Sequence, residues 1–167
     1  GVRLVGSEMC IRDSKTVSWI GDGNNNMSNS LIEAAGKFNF KLKIGCPKKY
    51  SPNKSILKLA KKERIKLTIT SKPLEAVEGA DCVMTDKWIS MNDKVNKASK
   101  KKILKPYQVN KKLMSKANSD AIFMHCLPVG RGEEVTNEVI DGKQSVVWRQ
   151  ALNRVHAQKS IIKWCLD

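Results

Sequence analysis

Three short polar clusters each follow an apolar run in this chain, and their side chains are suited to binding a small polar molecule. An imidazole and a thiol, His125 and Cys126, end the apolar run 121–124. A carboxylate, Asp86, ends a second run, and the amides of residues 24–26 follow a third. Three polar clusters that each end an apolar strand suggest one convergent site for a small polar molecule.

The elements that must position these clusters alternate between strand and helix patterns. Strands are predicted at residues 16–22, 41–46, 66–70, 81–85 and 121–126. Helices are predicted at residues 27–39, after Ser51-Pro52, and at 72–79, 134–139 and 149–166, with a polar and partly helical stretch at 93–118. Strands joined through helices form a parallel sheet with right-handed crossovers. We therefore predict an α/β fold, a doubly wound and mostly parallel sheet of about five strands with helices on both faces. Ligands bind at the carboxyl ends of such strands, where all three clusters lie.

Charge and composition limit the kinds of partner that the sequence predicts. The formal net charge of +15 over 167 residues admits a nucleic-acid partner. However, the lysines are scattered, aromatic residues make up 5% of the chain, and no nucleic-acid motif spacing occurs. The densest basic run, residues 97–105, is predicted to be the solvated face of a helix. No apolar stretch approaches the roughly 20 residues that cross a bilayer, so no membrane partner is predicted.

The five cysteines are far apart and form no C-x-x-C pair, which argues against a zinc site or a redox motif. Gly23 to Asn26 lacks the third glycine of a dinucleotide fingerprint. We therefore predict no metal and no cofactor. An odd number of thiols without a secretory signal favours reduced cysteines and a cytoplasmic location.

Residues 1–14 fit no helix or strand pattern. The stretch 6–14 resembles a translated sequencing-adapter tail, so we predict a non-native or disordered leader. The folded domain is predicted to span residues 15–167.

Five segments, in this order along the chain, resemble the C-terminal half of the ornithine carbamoyltransferases. They are Trp19–Asn25, Thr85–Met91, Met124–Pro128, Arg131–Val135 and Asn153–Lys159. That family transfers the carbamoyl group of carbamoyl phosphate to the side-chain amine of L-ornithine, giving citrulline and phosphate. Its active site lies in the cleft between two α/β domains. The resemblance implies that residues 15–167 form the ornithine-binding domain.

The resemblance also implies a role for individual residues. The implied substrate-binding residues are Asn25, Asp86, Ser90, Met91, Cys126, Leu127 and Arg154. The first four would bind the amino-acid end of ornithine, with Asp86 pairing with the α-ammonium. Cys126 and Leu127 would lie where ornithine meets carbamoyl phosphate. Arg154 would bind the carbamoyl phosphate oxygens and stabilise the oxyanion, which makes Cys126, Arg154 and Asp86 the predicted catalytic residues.

Two positions depart from the family pattern. Leu152 stands where a glutamate usually precedes Asn-Arg, and Asn92 stands where a glycine usually follows Ser-Met. Asparagine is less permissive than glycine in its backbone angles, so the loop after Met91 is expected to be stiffer.

The family's phosphate-binding motifs, Ser-Thr-Arg-Thr and His-Pro-x-Gln, do not occur in these 167 residues. We therefore predict that carbamoyl phosphate binds only with a missing N-terminal domain, and that the chain alone has no meaningful turnover. Family enzymes are trimers, whereas this fragment is expected to be monomeric or prone to aggregate. Two alternatives remain open, a related carbamoyltransferase for another amine such as putrescine and a non-catalytic basic nucleic-acid-binding domain.

Overall fold

The computed structural model describes residues 15–89 and 96–167, whose five strands form one parallel sheet. The strands are β1 (Thr16–Ile20), β2 (Lys41–Gly45), β3 (Leu67–Thr70), β4 (Cys82–Thr85) and β5 (Ile122–His125). Their order across the sheet is β3-β2-β1-β4-β5, and every neighbouring pair is parallel. The predicted doubly wound, five-stranded α/β fold is confirmed.

Helices connect the strands. In the described part of the chain they are α1 (Asn26–Phe38), α2 (Lys54–Lys62), α3 (Pro73–Val77), α4 (Lys97–Leu104), α5 (Lys111–Met114), α6 (Asn137–Ile140) and α7 (Val147–Leu166). Short 3-10 turns cover Lys48–Tyr50 and Lys105–Tyr107.

Asparagine side chains begin several of these helices. The side-chain oxygens of Asn25, Asn53, Asn96 and Asn110 accept hydrogen bonds from backbone N–H groups in the first turns of α1, α2, α4 and α5. Such caps satisfy donors that have no partner inside the helix. The predicted start of α2 at Ser51-Pro52 is wrong, because the Asn53 oxygen accepts from the Ile56 N–H at 3.0 Å and fixes the first turn there.

The core consists of two layers, one on each face of the sheet. Neighbouring strand residues point to opposite faces, so Trp19 and Ile20 of β1 enter different layers. The Trp19 layer packs under α1 and α2 and contains Ile32, Ala35, Leu42, Ile44, Cys46, Ile56 and Ala60. The Ile20 layer packs under α3, α5 and α6 and includes Val77, Val83, Leu113, Met114, Phe123, Val139 and Ile140. This arrangement gives the three-layer αβα architecture.

The terminal helix α7 differs from the others because most of it is exposed. Val147 is fully buried at its start, and Gln150 accepts a hydrogen bond from the His125 N–H at 3.1 Å. Its large apolar residues after Val147 are 46–81% exposed, namely Trp148, Leu152, Val155, Ile161, Ile162, Trp164 and Leu166. Only the first turns of α7 therefore pack on the sheet.

Some sequence predictions fall outside the described residues. These are the leader at residues 1–14, the predicted ligands Ser90 and Met91, and the stiffer loop expected at Asn92. Among residues 15–89 and 96–167, no helix combines the length and the apolar character needed to cross a bilayer.

Candidate functional site

The strand order creates a switch point between β1 and β4. From β1 the chain moves through β2 to β3 on one side, and from β4 it moves to β5 on the other. The connections at the carboxyl ends of β1 and β4 therefore diverge, which opens a crevice at the edge of the sheet. The Thr85 hydroxyl donates to the Ile20 carbonyl at 2.7 Å and ties the two strand ends together. The three polar clusters follow β1, β4 and β5 at this edge.

The loop from Gly21 to Asn25 forms the first part of the site. Gly21 has φ of 126°, a left-handed conformation that favours glycine. Asn25 lies at the end of the loop, and its side-chain oxygen accepts from the Ser28 N–H at 2.8 Å. This bond orients the amide, whose N–H groups are the donors it can offer to a ligand.

A buried ion pair, which was not predicted from the sequence, stabilises this loop. The Lys100 Nζ lies 2.7 Å from Asp22 Oδ2, and both side chains are 8% exposed. Asp22 Oδ1 also accepts from the Asn24 N–H at 2.8 Å. The prediction that the basic run 97–105 is a solvated face is therefore wrong at Lys100, because a buried carboxylate from the first loop draws this one lysine inward.

Asp86 and Cys126 meet across the ends of β4 and β5. The Cys126 Sγ lies 3.1 Å from Asp86 Oδ1, to which the thiol donates, and the Lys87 N–H donates to the same carboxylate oxygen at 2.7 Å. Burial, followed by the neighbouring Asp86, raises the pKa of Cys126 to about 12. Cys126 is therefore a neutral thiol at physiological pH and neither a thiolate nucleophile nor a ready base.

Leu127 adjoins this pair in sequence, and Arg154 lies within electrostatic range of Cys126. Arg154 is on the exposed part of α7, and its positive charge acts on Cys126, opposing the rise in the thiol pKa. Leu127 follows Cys126 directly and has φ of 52°. Its N–H donates to the His125 ring at 3.0 Å.

His125 is buried next to the site, and both of its ring nitrogens have partners within the protein. Its Nδ1 accepts from the Leu127 N–H, and its Nε2 lies 3.2 Å from Glu134 Oε1. Asp86, His125 and Cys126 have ligand-type atoms within 4.8 Å of one another, a spacing compatible with a metal ion. A metal would require a deprotonated thiol and a free ring nitrogen. In this structure the Cys126 thiol donates to Asp86, and the two nitrogens of His125 have other partners, the Leu127 N–H and Glu134.

The structure thus brings some of the predicted residues together. Asp86, Cys126 and Leu127 are adjacent, and Arg154 lies within electrostatic range of Cys126. Asn25 is at the carboxyl end of the next strand along the same edge. Two surface hollows, each of about 330 Å³, lie elsewhere, one beside α5 and α6 and the other at the ends of β2 and β3.

Comparison with known proteins identifies the family. The family model described as "Aspartate/ornithine carbamoyltransferase, Asp/Orn binding domain" matches residues 13–165. A curated ornithine carbamoyltransferase of Rhodopseudomonas palustris is 55% identical over 152 residues, which cover 91% of this chain and 48% of the relative. One from Bradyrhizobium diazoefficiens is 50% identical over 155 residues, covering 93% of this chain and 50% of the relative.

Solved structures give the same result. The ornithine carbamoyltransferase of Pyrococcus furiosus superposes with a TM-score of 0.81 at 39% identity, covering 93% of this chain and 51% of that one. The anabolic ornithine carbamoyltransferase of Campylobacter jejuni superposes with a TM-score of 0.83 at 35% identity, covering 90% of this chain and 50% of that one. The chain spans about half the length of the curated relatives that it matches. It belongs to the aspartate/ornithine carbamoyltransferase family and corresponds to that family's Asp/Orn-binding domain.

Proposed function

We propose that residues 15–167 bind L-ornithine at the carboxyl edge of the sheet, as the amino-acid-binding domain of an ornithine carbamoyltransferase. The observation that carries this proposal is the 3.1 Å contact between Asp86 and Cys126 at the switch point. It places a carboxylate and a neutral thiol side by side, where α/β sheets bind ligands. The likeness to relatives named as ornithine carbamoyltransferases supports the choice of amino acid.

The proposed binding mode matches each charge of ornithine with a side chain. Asp86 pairs with the α-ammonium, since among the described residues its carboxylate accepts only from the Lys87 N–H and the weak Cys126 S–H. Asn25 donates from its amide to the α-carboxylate, with Ser90 and Met91 as further predicted ligands. The ornithine side chain then extends towards Cys126 and Leu127.

In the proposed reaction the neutral side-chain amine attacks the carbonyl carbon of carbamoyl phosphate. A carbon–nitrogen bond forms, the bond from carbon to the phosphate oxygen breaks, and phosphate leaves with the electron pair. The proton lost by the amine goes to the leaving phosphate. Arg154 stabilises the oxyanion that forms on the carbonyl oxygen. Cys126 stays a neutral thiol throughout, since its raised pKa disfavours the thiolate, and it orients the amine rather than attacking carbon.

Carbamoyl phosphate needs a phosphate site of its own. Helix N-termini and arginines hold such dianions, and the motifs that do so in the family do not occur in these residues. We propose that another domain supplies them, that this chain alone forms no citrulline, and that the enzyme works in the cytoplasm.

Calorimetric titration of the 167-residue chain with L-ornithine tests the proposal. Putrescine, which lacks the α-carboxylate, is the matched control ligand. Ornithine is expected to bind more tightly, because Asn25 would contact the α-carboxylate, which putrescine lacks, whereas both ligands carry an amine that can pair with Asp86. Equal or tighter binding of putrescine would show that the α-carboxylate is not recognised, and the proposal of an amino-acid site would then be wrong.

A further inference from the structure

Two buried residues next to the site, His125 and Glu134, have no part in the proposed chemistry. Both side chains are fully buried, and His125 Nε2 lies 3.2 Å from Glu134 Oε1. A carboxylate buried this deeply is costly unless it is hydrogen-bonded. Such a pair, placed directly behind a candidate site, needs an explanation.

The hydrogen bonds fix the proton on the His125 ring. Nδ1 accepts from the Leu127 N–H at 3.0 Å, so this nitrogen carries a lone pair. The ring proton is therefore on Nε2, which donates to Glu134 Oε1. In this tautomer the ring links a carboxylate on one side to the backbone of the Cys126–Gly130 loop on the other.

Glu134 holds the other end of the same loop. Its Oε1 also accepts a hydrogen bond from the Gly130 N–H. A Cβ at residue 130 would lie only 2.6 Å from Glu134 Oε2, so the close approach depends on glycine. Glu134 is itself fixed in the core, because its carbonyl accepts from the Val109 N–H at 2.8 Å and Val109 is fully buried.

The loop needs this support. Leu127 has φ of 52°, a left-handed conformation that is unfavourable for a branched side chain. The bond from its N–H to His125 helps hold the residue there. The residue just before it, Cys126, presents its thiol to Asp86 at 3.1 Å.

We infer that His125 and Glu134 are positioning residues, which clamp the Cys126–Gly130 loop at both ends and so hold the Cys126 thiol against Asp86. The inference deepens the proposed function and rests on it for the identity of the ligand. The two residues act through the loop and do not touch the substrate. Their role resembles that of supporting hydrogen bonds that orient a ligand-binding side chain.

Alkylation of the cysteines in the full 167-residue chain tests the clamp. Iodoacetamide labelling, followed by mass spectrometry, compares Cys126 with the exposed Cys165 and the buried Cys46 and Cys82. In Glu134→Leu we expect Cys126 to react about tenfold faster relative to Cys165, because a released thiol loses part of its pKa elevation. Cys46 and Cys82 should stay protected, since a local release leaves the core intact.

Glu134→Gln is the matched conservative variant. Its amide oxygen can still accept from the His125 Nε2–H and the Gly130 N–H, so Cys126 should react at about the wild-type rate. An unchanged Cys126 rate in Glu134→Leu would overturn the inference. So would parallel acceleration of Cys46, Cys82 and Cys126, which would indicate a merely structural role.

A second measurement on the wild-type chain applies even if Glu134→Leu does not fold. Long-range proton–nitrogen NMR spectra at one alkaline pH report which ring nitrogen carries the proton, with exposed His156 as the reference. We expect the proton of His125 on Nε2, and a proton on Nδ1 would overturn the clamp. Neither measurement uses ornithine, so failure to bind ornithine would contradict the proposed function while leaving the clamp intact.

Discussion

Strand β4 is flanked by two aspartates, one at each edge of the sheet, and they have opposite surroundings. Asp81, at the amino edge, accepts hydrogen bonds from the Thr16 N–H at 2.8 Å, the Lys15 amine at 3.0 Å and the Asn118 amide at 3.2 Å. Asp86, at the carboxyl edge, accepts from the Lys87 N–H and from the weak donor Cys126.

The difference separates a structural carboxylate from one that is available to a ligand. Partial burial of Asp81 favours its neutral form, but the three donors outweigh burial and hold its pKa below the ordinary value. Asp86 lacks such a set of strong donors among the described residues and lies where α/β sheets bind ligands. We therefore expect substitution of Asp81 to change stability and substitution of Asp86 to change binding.

The largest expected effect comes from Asp86→Asn. Removing a charged partner of the α-ammonium should weaken ornithine binding roughly 10- to 100-fold, which corresponds to about 1.5–3 kcal/mol for a hydrogen bond to a charged group. The free energy of unfolding should change by less than about 0.5 kcal/mol. Calorimetry and urea unfolding measure the two quantities. If Asp86→Asn lowered the free energy of unfolding and left ornithine binding unchanged, Asp86 would be a structural residue and not a ligand-binding one.

Asp81→Asn, at the other end of β4, is the matched control. We expect it to lower the free energy of unfolding by about 1 kcal/mol, because the amide is a poorer acceptor for Lys15 and the Thr16 N–H. Ornithine binding should stay within about twofold of the wild type. A large loss of binding without loss of stability would show that the two edges are not independent.

The effect of Asp81 should also depend on pH. Its pKa is lowered in the folded state, so its contribution is present above the ordinary pKa of about 3.9 and is lost as the pH falls through the folded value. The stability difference between wild type and Asp81→Asn should therefore be constant near neutrality and shrink below about pH 4. A difference that grows in acid would contradict this sign.

Cys126→Ala measures how much the thiol at the carboxyl edge contributes to ornithine binding. The thiol is a weak hydrogen-bond donor. Its removal should therefore reduce the free energy of ornithine binding by only about 0.5 kcal/mol, which weakens binding two- to threefold. A titration like that used for Asp86→Asn measures the change. A loss as large as that of Asp86→Asn would mean that Cys126, and not the carboxylate, dominates recognition.

The smallest effect is expected for Arg154→Gln. The positive charge of Arg154 opposes the rise in the pKa of Cys126, so its removal should raise that pKa further and leave less thiolate. Because Arg154 is exposed and its charge is screened by water, alkylation of Cys126 should slow by less than about threefold relative to Cys165. Faster alkylation would contradict the sign of this electrostatic effect.

Much of the fold could be predicted from the sequence, because apolar periodicity is local. The strand predictions lie within two residues of β1 to β5, since each run of buried residues is interrupted by glycine, proline or polar residues. The start of α2 was misplaced because Ser51-Pro52 and Asn53 are both plausible starts. Only the bond from Asn53 to the Ile56 N–H decides between them.

The site was predicted only in part. Motif resemblance marked Asn25, Asp86 and Cys126, but it gave no role to Glu134 or Lys100. The signal for Glu134 is weak, an acid beside buried Val135 in Arg-Gly-Glu-Glu-Val. Nothing in the sequence indicates that Lys100 is buried, because it is one of several lysines in α4 and its partner Asp22 is distant in sequence.

The sequence by itself determined which segments become strands and which polar groups end them, since these follow from hydrophobic periodicity and turn chemistry. Only the tertiary structure decided which of those groups meet. Asp86 and Cys126 are 40 positions apart, and they come together because β4 and β5 pair in parallel with Thr85 opposite His125. The tautomer of His125 was decided in the same way, because its two hydrogen-bond partners come from different parts of the folded loop.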